Sequence, residues 1–205
     1  MRLGFSKRAD WDEVLRIART IKSHWTAVCE IGGSTVSRTS VLIPLTDSLL
    51  IVEKEIERVP RKVAYKRICA DWTALDRLFV SAPFDLILAN HVLEHVEDDL
   101  GCLRATGRAL VPGGVALLVT PNRKRLTRTV IELFTGPRKF PFWEHVREYD
   151  MHDMESLLLK ADVDGSVEFS PMFFGVVTSA SAIYISPCPR ILVRWCTSWL
   201  ISIKR

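Results

Sequence analysis

Five short stretches of this chain are apolar almost without interruption: TAVCEIGG (residues 26–33), LLIVE (49–53), KRICAD (66–71), FDLILAN (84–90) and VALLVTP (115–121). A strand with one face in water alternates apolar and polar side chains, whereas a strand covered on both faces does not need to. These runs therefore predict a parallel sheet with layers packed on either side. Helical spacing fills the intervals. Trp11, Val14, Leu15, Ala18, Ile21 and Trp25 share one face of a helix over Asp10–Trp25, with Asp10 and Glu13 as a capping pair. Val92, Val96, Leu100, Leu103, Gly107 and Leu110 share another face, closed by Pro112-Gly113-Gly114. Met154, Leu157, Leu158 and Ala161 form a third, on a helix that Asp150 can cap. VEFSPMF (167–173) and WLISIKR (199–205) read as two closing strands. Strand and helix alternate, so the fold class is α/β: a doubly wound, mostly parallel sheet, one domain over residues 1–205 that opens on a helical segment (1–25).

Length and composition suit a globular chain with a proper core: 205 residues, 48% hydrophobic and 25% charged. The start has no signal-peptide pattern, and the most apolar region, Phe173–Ile185, is broken by Ser and Thr and too short to span a bilayer. Five widely spaced cysteines without a CxxC read as reduced core thiols of a cytoplasmic protein. The net charge of +4 is unevenly spread. Residues 122–139 hold Arg123, Lys124, Arg125, Arg128, Arg138 and Lys139 against one acid, Glu132, and the last nineteen residues hold four bases and no acid. The plain reading is a solvated basic surface; the functional one is attraction to an anionic substrate, a phospholipid surface or nucleic acid.

Ligands of such sheets bind beyond the carboxyl ends of the strands, near the point where strand order reverses. Glu30, Gly32, Gly33 and Ser34 follow the first run, Glu53 the second, Asp71 and Trp72 the third, and Asn90, His91, Glu94 and His95 the fourth. An acid about twenty residues past a glycine loop is the usual holder of a ribose diol, a role that fits Glu53. Asp71 could accept from an adenine amino group, and Trp72 could cover the ring.

The stretch FDLILANHVLEHVEDDLGCLRATGRALVPGGVALLVTPN (84–122) resembles the central segment of class I S-adenosylmethionine-dependent methyltransferases, and HVREYDMHDMESLLLKADVD (145–164) resembles their downstream segment. The branch it looks most like acts on small molecules, lipids, quinones and sugars. The resemblance implies a seven-stranded Rossmann-like sheet whose last strand, near 198–204, is inserted antiparallel. It also implies S-adenosylmethionine over the first loop, held by Glu30, Gly32, Gly33, Ser34 and Asn90, with ribose near Glu53 and adenine near Asp71 and Trp72. The family's first loop reads acid-x-Gly-x-Gly-x-Gly. Here Glu30 and Gly32 match, while Ser34 and Val36 replace the second and third glycines. The segment after it, VSRTSVLIPLTD, has few helix formers and contains Pro44, so the first helix should be short or irregular.

His91-Val-Leu-Glu94-His95 also matches the H-x-x-E-H zinc-peptidase pattern, which needs both histidines one turn apart on a helix. In some quinone-pathway relatives, acids and histidines of this segment hold a divalent metal near the acceptor oxygen; the plainer expectation is that Glu94 and His95 are bonded within the fold and that there is no metal. Methyl transfer is in-line displacement from an activated donor, so positioning does most of the work. An oxygen acceptor must lose a proton, and His145, His95 and His91 are the candidate bases. Arg147 and Tyr149 could orient the acceptor or pack the loop. The insert over residues 123–147, basic and aromatic, reads as a lid for a small-molecule or lipid-linked acceptor, with a peripheral membrane contact conceivable. Nucleic-acid bases are argued down because no Asn/Asp-Pro-Pro-aromatic segment follows the fourth run. A thinly covered donor site leaves room for a homodimer, and the rival from another class is a methyltransferase-like module that binds without catalysis.

Overall fold

The computed structural model describes residues 2–6, 9–33, 40–55, 57, 65–79, 84–137, 144–177 and 182–205. Its strands are β1 (Arg2–Ser6), β2 (Trp25–Ile31), β3 (Thr46–Glu53), β4 (Lys66–Cys69), β5 (Phe84–Asn90), β6 (Leu110–Pro121), β7 (Ser166–Pro171), β8 (Phe174–Val177), β9 (Ala182–Ser186) and β10 (Ser198–Lys204). The α-helices are α1 (Ala9–Ile21), α2 (Leu75–Leu78), α3 (Asp99–Ala109), α4 (Leu126–Thr135) and α5 (Met151–Ala161). The main sheet runs β4-β3-β2-β5-β6-β10-β7. Its strands are parallel except β10, which pairs antiparallel with both β6 and β7. This is the expected seven-stranded doubly wound sheet with the last strand reversed.

Both faces of the sheet are covered, which is why its strands carry unbroken apolar runs. Along β6, Ala116 and Leu118 enter the layer holding Leu75, Leu103, Met154 and Trp199. Val115, Leu117 and Val119 enter the opposite layer with Trp11, Val14, Ala18 and Phe173.

Four details depart from the sequence reading. The first helix ends at Ile21, and Trp25 opens β2. The Asp85 carboxylate accepts from Lys22 Nζ (2.7 Å) and from the backbone N–H of Thr26 (3.0 Å) and Ala27 (2.8 Å), which draws the chain out of the helix and onto the start of β5. Asp10 lies inside α1, which begins at Ala9, and turns to His91, while Glu13 accepts from Arg16 and Ser186. The helix expected over 92–110 is divided into a 3-10 turn at Leu93–His95 and α3, whose N-terminus Asp98 caps by accepting from Gly101 N–H at 2.8 Å. Pro112-Gly113-Gly114 lies inside β6, where Gly113 (φ 80°) donates to the Arg205 carbonyl at 2.7 Å and the register against β5 shifts.

A fifth departure is a second, antiparallel sheet, β1-β9-β8. It joins β8 and β9 to the N-terminal β1, where Arg2 pairs with Ser186. The partners of β1 are too distant in sequence to leave a local signal. Four cysteines are buried as expected, but Cys69, near the end of edge strand β4, is exposed. No helix among the described residues is long and apolar enough to cross a membrane.

Trp199 anchors the reversed strand. It is fully buried, lies edge-on to Phe169 at 5.4 Å, and donates from Nε1 to the Tyr149 carbonyl at 3.0 Å. Trp199→Phe keeps an aromatic ring but removes one of two donors to the Tyr149 carbonyl, which also accepts from Arg123 N–H at 3.0 Å. The expected cost is about 0.5–1.5 kcal/mol, read in urea unfolding as a lower midpoint at unchanged slope.

Candidate active site

Parallel registers bring the ends of four strands level. Ile31 pairs with Val52 on one side and Ala89 on the other, and Glu53 pairs with Cys69. Gly32, Glu53, Ala70 and Asn90 therefore stand along one edge. The chain steps outward from β2 to β3 and β4, then returns to β5 on the other side of β2, so the topological switch point lies between Gly32 and His91. The loops touch there. Gly32 has φ 75°, and a Cβ on it would come within 2.4 Å of Val92 Cγ2; a Cβ on Gly33 would meet Ile51 at 2.8 Å and the Glu30 carboxyl carbon at 3.1 Å. Both glycines are needed as glycines. Glu30 is buried behind them. Ser34 and Val36, which break the glycine pattern, lie outside the described residues. Past them, residues 40–45 form a turn and the short 3-10 helix Ile43–Leu45, in keeping with an irregular connection.

The other residues of this edge differ in availability. The Glu53 carboxylate is half-exposed, with Oε1 accepting from Glu55 N–H at 3.1 Å. Asp71 Oδ1 is taken by Thr73 N–H (2.9 Å) and hydroxyl (2.7 Å); these bonds hold its carboxyl below the usual range. Asn90 Oδ1 is buried with no hydrogen-bond partner among the described residues. Trp72 departs from expectation: only 3% exposed, it packs in the core and donates to Thr106 of α3 at 2.9 Å, so it presents no face at the edge.

Beside this edge is a second group of side chains. Glu94 is 0% exposed. Its Oε1 accepts from His91 Nδ1 (3.1 Å) and its Oε2 from the Thr120 hydroxyl (3.2 Å), while its carbonyl accepts from Val146 and Arg147 N–H. His91 Nε2 lies 3.3 Å from Asp10 Oδ2. Burial would lower the His91 pKa, but the hydrogen bonds and charges of Asp10 and Glu94 outweigh it and push it up to about 10. The two flanking carboxylates favour the charged form of His91, which works against a role as base. Nor does HxxEH form a helical metal pair: His91 sits at φ 58°, outside the 3-10 turn that carries Glu94 and His95.

His95 and His145 meet edge to face at 4.8 Å. His95 Nδ1 lies 3.1 Å from the Glu144 carbonyl, and His145 Nδ1 lies 2.9 Å from Glu148 Oε1. Both partners can only accept, so each ring donates from Nδ1. Glu94, His95 and His145 each offer one ligand atom within 4.8 Å of the others. Carbonyl or carboxylate partners on the far nitrogen are the usual support for a metal-binding histidine.

Most of the neighbouring charge is spent internally. The Glu148 carboxylate accepts from Arg125 (3.0 Å), Arg128 and His145, and Glu132 accepts from Arg123 (3.1 Å) and Arg128 (2.9 Å). Lys124 holds Asp150. The basic run therefore braces the site as much as it charges the surface. Arg147 bonds Asp99 (2.6 Å) and the Glu97 carbonyl, and buried Tyr149 donates to Asp99 at 2.8 Å, so both are tied into the loop. Glu148 was not legible in advance. Its spacing of three from His145, opposite an arginine-rich segment, was the signal available.

A family model described as a methyltransferase domain matches residues 19–164. The chain belongs to the class I S-adenosylmethionine-dependent methyltransferases. Its fold is shared with the N-methyltransferase NodS from Bradyrhizobium japonicum WM9 in complex with S-adenosyl-L-homocysteine. The TM-score is 0.61 at 15% identity, covering 97% of this chain and 86% of that one. A SAM-dependent methyltransferase from Archaeoglobus fulgidus gives 0.63 at 12%, covering 98% and 95%. The small RNA methyltransferase HEN1 gives 0.70 at 14%, covering 96% of this chain and 25% of the other. No curated protein sequence matches this chain. Membership in this family displaces the zinc-peptidase reading.

The His91 bridge should be visible in stability. A raised pKa stabilises the fold fully below the ordinary histidine value of 6.5, and that contribution is lost as pH rises through about 10. His91→Asn, which tolerates the left-handed backbone, should lower the unfolding midpoint at pH 6.5 and erase part of the wild type's decline between pH 7 and 10. Parallel declines in both proteins would refute the assignment.

Proposed function

We propose that this methyltransferase transfers the donor's methyl group to a hydroxyl oxygen of a small sugar, lipid-linked or similarly hydroxylated acceptor. The donor would lie along the Gly32–Glu53–Asn90 edge. S-adenosylmethionine supplies a methyl group already activated on a sulfonium. Gly32 and Gly33 provide the close backbone approach, Glu53 accepts the ribose hydroxyls, and the free oxygens of Asp71 and Asn90 are suited to donors on the base and the amino-acid end. The buried Asn90 Oδ1 without a bonded partner is the best fit of this edge to a ligand.

The observation that carries the oxygen assignment is the Glu94–His95–His145 group at the adjoining strand end, whose two imidazoles meet edge to face at 4.8 Å. One imidazole can take the acceptor proton while Glu148 supports the His145 cation that results. The same three ligand atoms favour a second reading, in which they hold a divalent cation that lowers the acceptor's pKa. The chemistry around them suits either role, and added metal separates the two.

Donor binding is the first test. Calorimetric titration with S-adenosylmethionine and S-adenosylhomocysteine should give micromolar binding, weakened at least tenfold in Glu53→Ala, which removes about 1.5–3 kcal/mol of charge-assisted hydrogen bonding. No binding to the folded wild type would overturn catalysis in favour of a non-catalytic module.

Acceptor chemistry is the second test. With an acceptor found by screening sugars, lipid-linked sugars, phenols, amines and short RNAs, His145→Ala should lower kcat by about 10²–10⁴ with donor affinity unchanged. Stimulation by Mg²⁺ or Mn²⁺ that His145→Ala abolishes would favour the metal reading. Activity on amines alone would refute the oxygen assignment.

A further inference from the structure

The helix α4 is amphipathic in the wrong sense for a core helix. Its polar side points inward: Arg128 is 5% exposed and bonded to Glu132 and Glu148. Its apolar side points outward, with Leu133 78% and Phe134 86% exposed and Val130 and Ile131 about half so. A helix turned this way exposes the surface that folding normally removes from water.

The 3-10 helix Arg190–Trp195 lies alongside, and both it and α4 pack against β8. Ile191 there is 86% exposed, flanked by exposed Arg190 and Arg194, whose side chains have no acidic partner among the described residues. The acids of this face are committed, Glu132 to Arg123 and Arg128, and Asp150 to Lys124. Uncompensated charge here is positive and sits beside bare apolar side chains. Between α4 and the 3-10 helix opens a cleft of about 710 Å³, whose lining includes Arg123, Thr129, Leu133, Arg194 and Trp195. It reaches Arg123, just past the end of β6, on the same sheet edge as the candidate site.

We propose that this face seats the protein on an anionic lipid surface, with Leu133, Phe134 and Ile191 entering the interface and Arg190 and Arg194 meeting the headgroups. Apolar insertion and basic residues are the two terms that such attachment needs. Charge argues for a membrane over a second copy of this chain, because a two-fold contact would bring the same unpaired arginines together. The cleft opens beside the face that touches lipid, which gives an amphiphilic acceptor a direct path.

The test is co-sedimentation of the full chain with phosphatidylcholine vesicles, with and without one third phosphatidylglycerol. Binding is expected to the anionic vesicles only and to weaken with salt. Leu133→Ser/Phe134→Ser and Arg190→Gln/Arg194→Gln should each lower it about tenfold or more with the unfolding midpoint and donor binding unchanged, because all four side chains are exposed. Equal binding by wild type and both variants would overturn the proposal, as would no binding of the wild type. A vesicle-indifferent dimer that Leu133→Ser/Phe134→Ser dissociates would also overturn it, by assigning the face to a protein contact.

Discussion

The buried carboxylate of Glu94 organises this end of the molecule. A charge taken wholly out of water must be met by partners or the fold does not tolerate it. Here the partners come from separate parts of the chain: the His91 ring at the strand turn, the Thr120 hydroxyl at the end of β6, and Asp10 of α1 behind His91. The Glu94 carbonyl also carries two N–H groups of the loop at 146–147. One residue thus fixes the first helix, two strand ends and the loop that delivers His145. The positive φ of His91 is the backbone cost of turning its ring between the two acids.

A second buried carboxylate repeats the principle. Glu148 gathers Arg125, Arg128 and His145, and through Arg128 and Glu132 it roots α4 by its polar side. That rooting leaves the apolar side of α4 pointing outward. The bracing of the histidines and the exposed hydrophobic face are two results of one charge network.

What was legible in the sequence follows from the range of the interactions concerned. The five apolar runs announced a sheet covered on both faces because Ala116 and Leu118 serve one layer while Val115, Leu117 and Val119 serve the other. Glu53, Asn90 and the glycines could be placed because parallel strands end at one edge, and position along a run is a local property. Trp72 could not: its place in the core depends on Thr106 of α3, thirty-four residues on. The double role of His91 was equally hidden, since Asp10 lies in a different helix. HxxEH looked like a metal motif because the sequence does not reveal that the backbone reverses hand at His91. The pairing of β1 with β9 escaped notice because the two strands stand at opposite ends of the chain.

The reversed position of β10 bears on how the chain is made. Among the described residues, β7 has β10 as its only neighbour in the main sheet. Residues 166–171 therefore emerge from the ribosome with nowhere to pair, and β6 is left with an open edge, until residues 198–204 arrive to join them. Strand closure must wait for a segment synthesised about thirty residues later. During that interval β6 exposes a long apolar edge of the kind that invites pairing with other chains. The nascent protein is most vulnerable to aggregation just before β10 is made, and substitutions that slow the docking of Trp199 would lengthen that window.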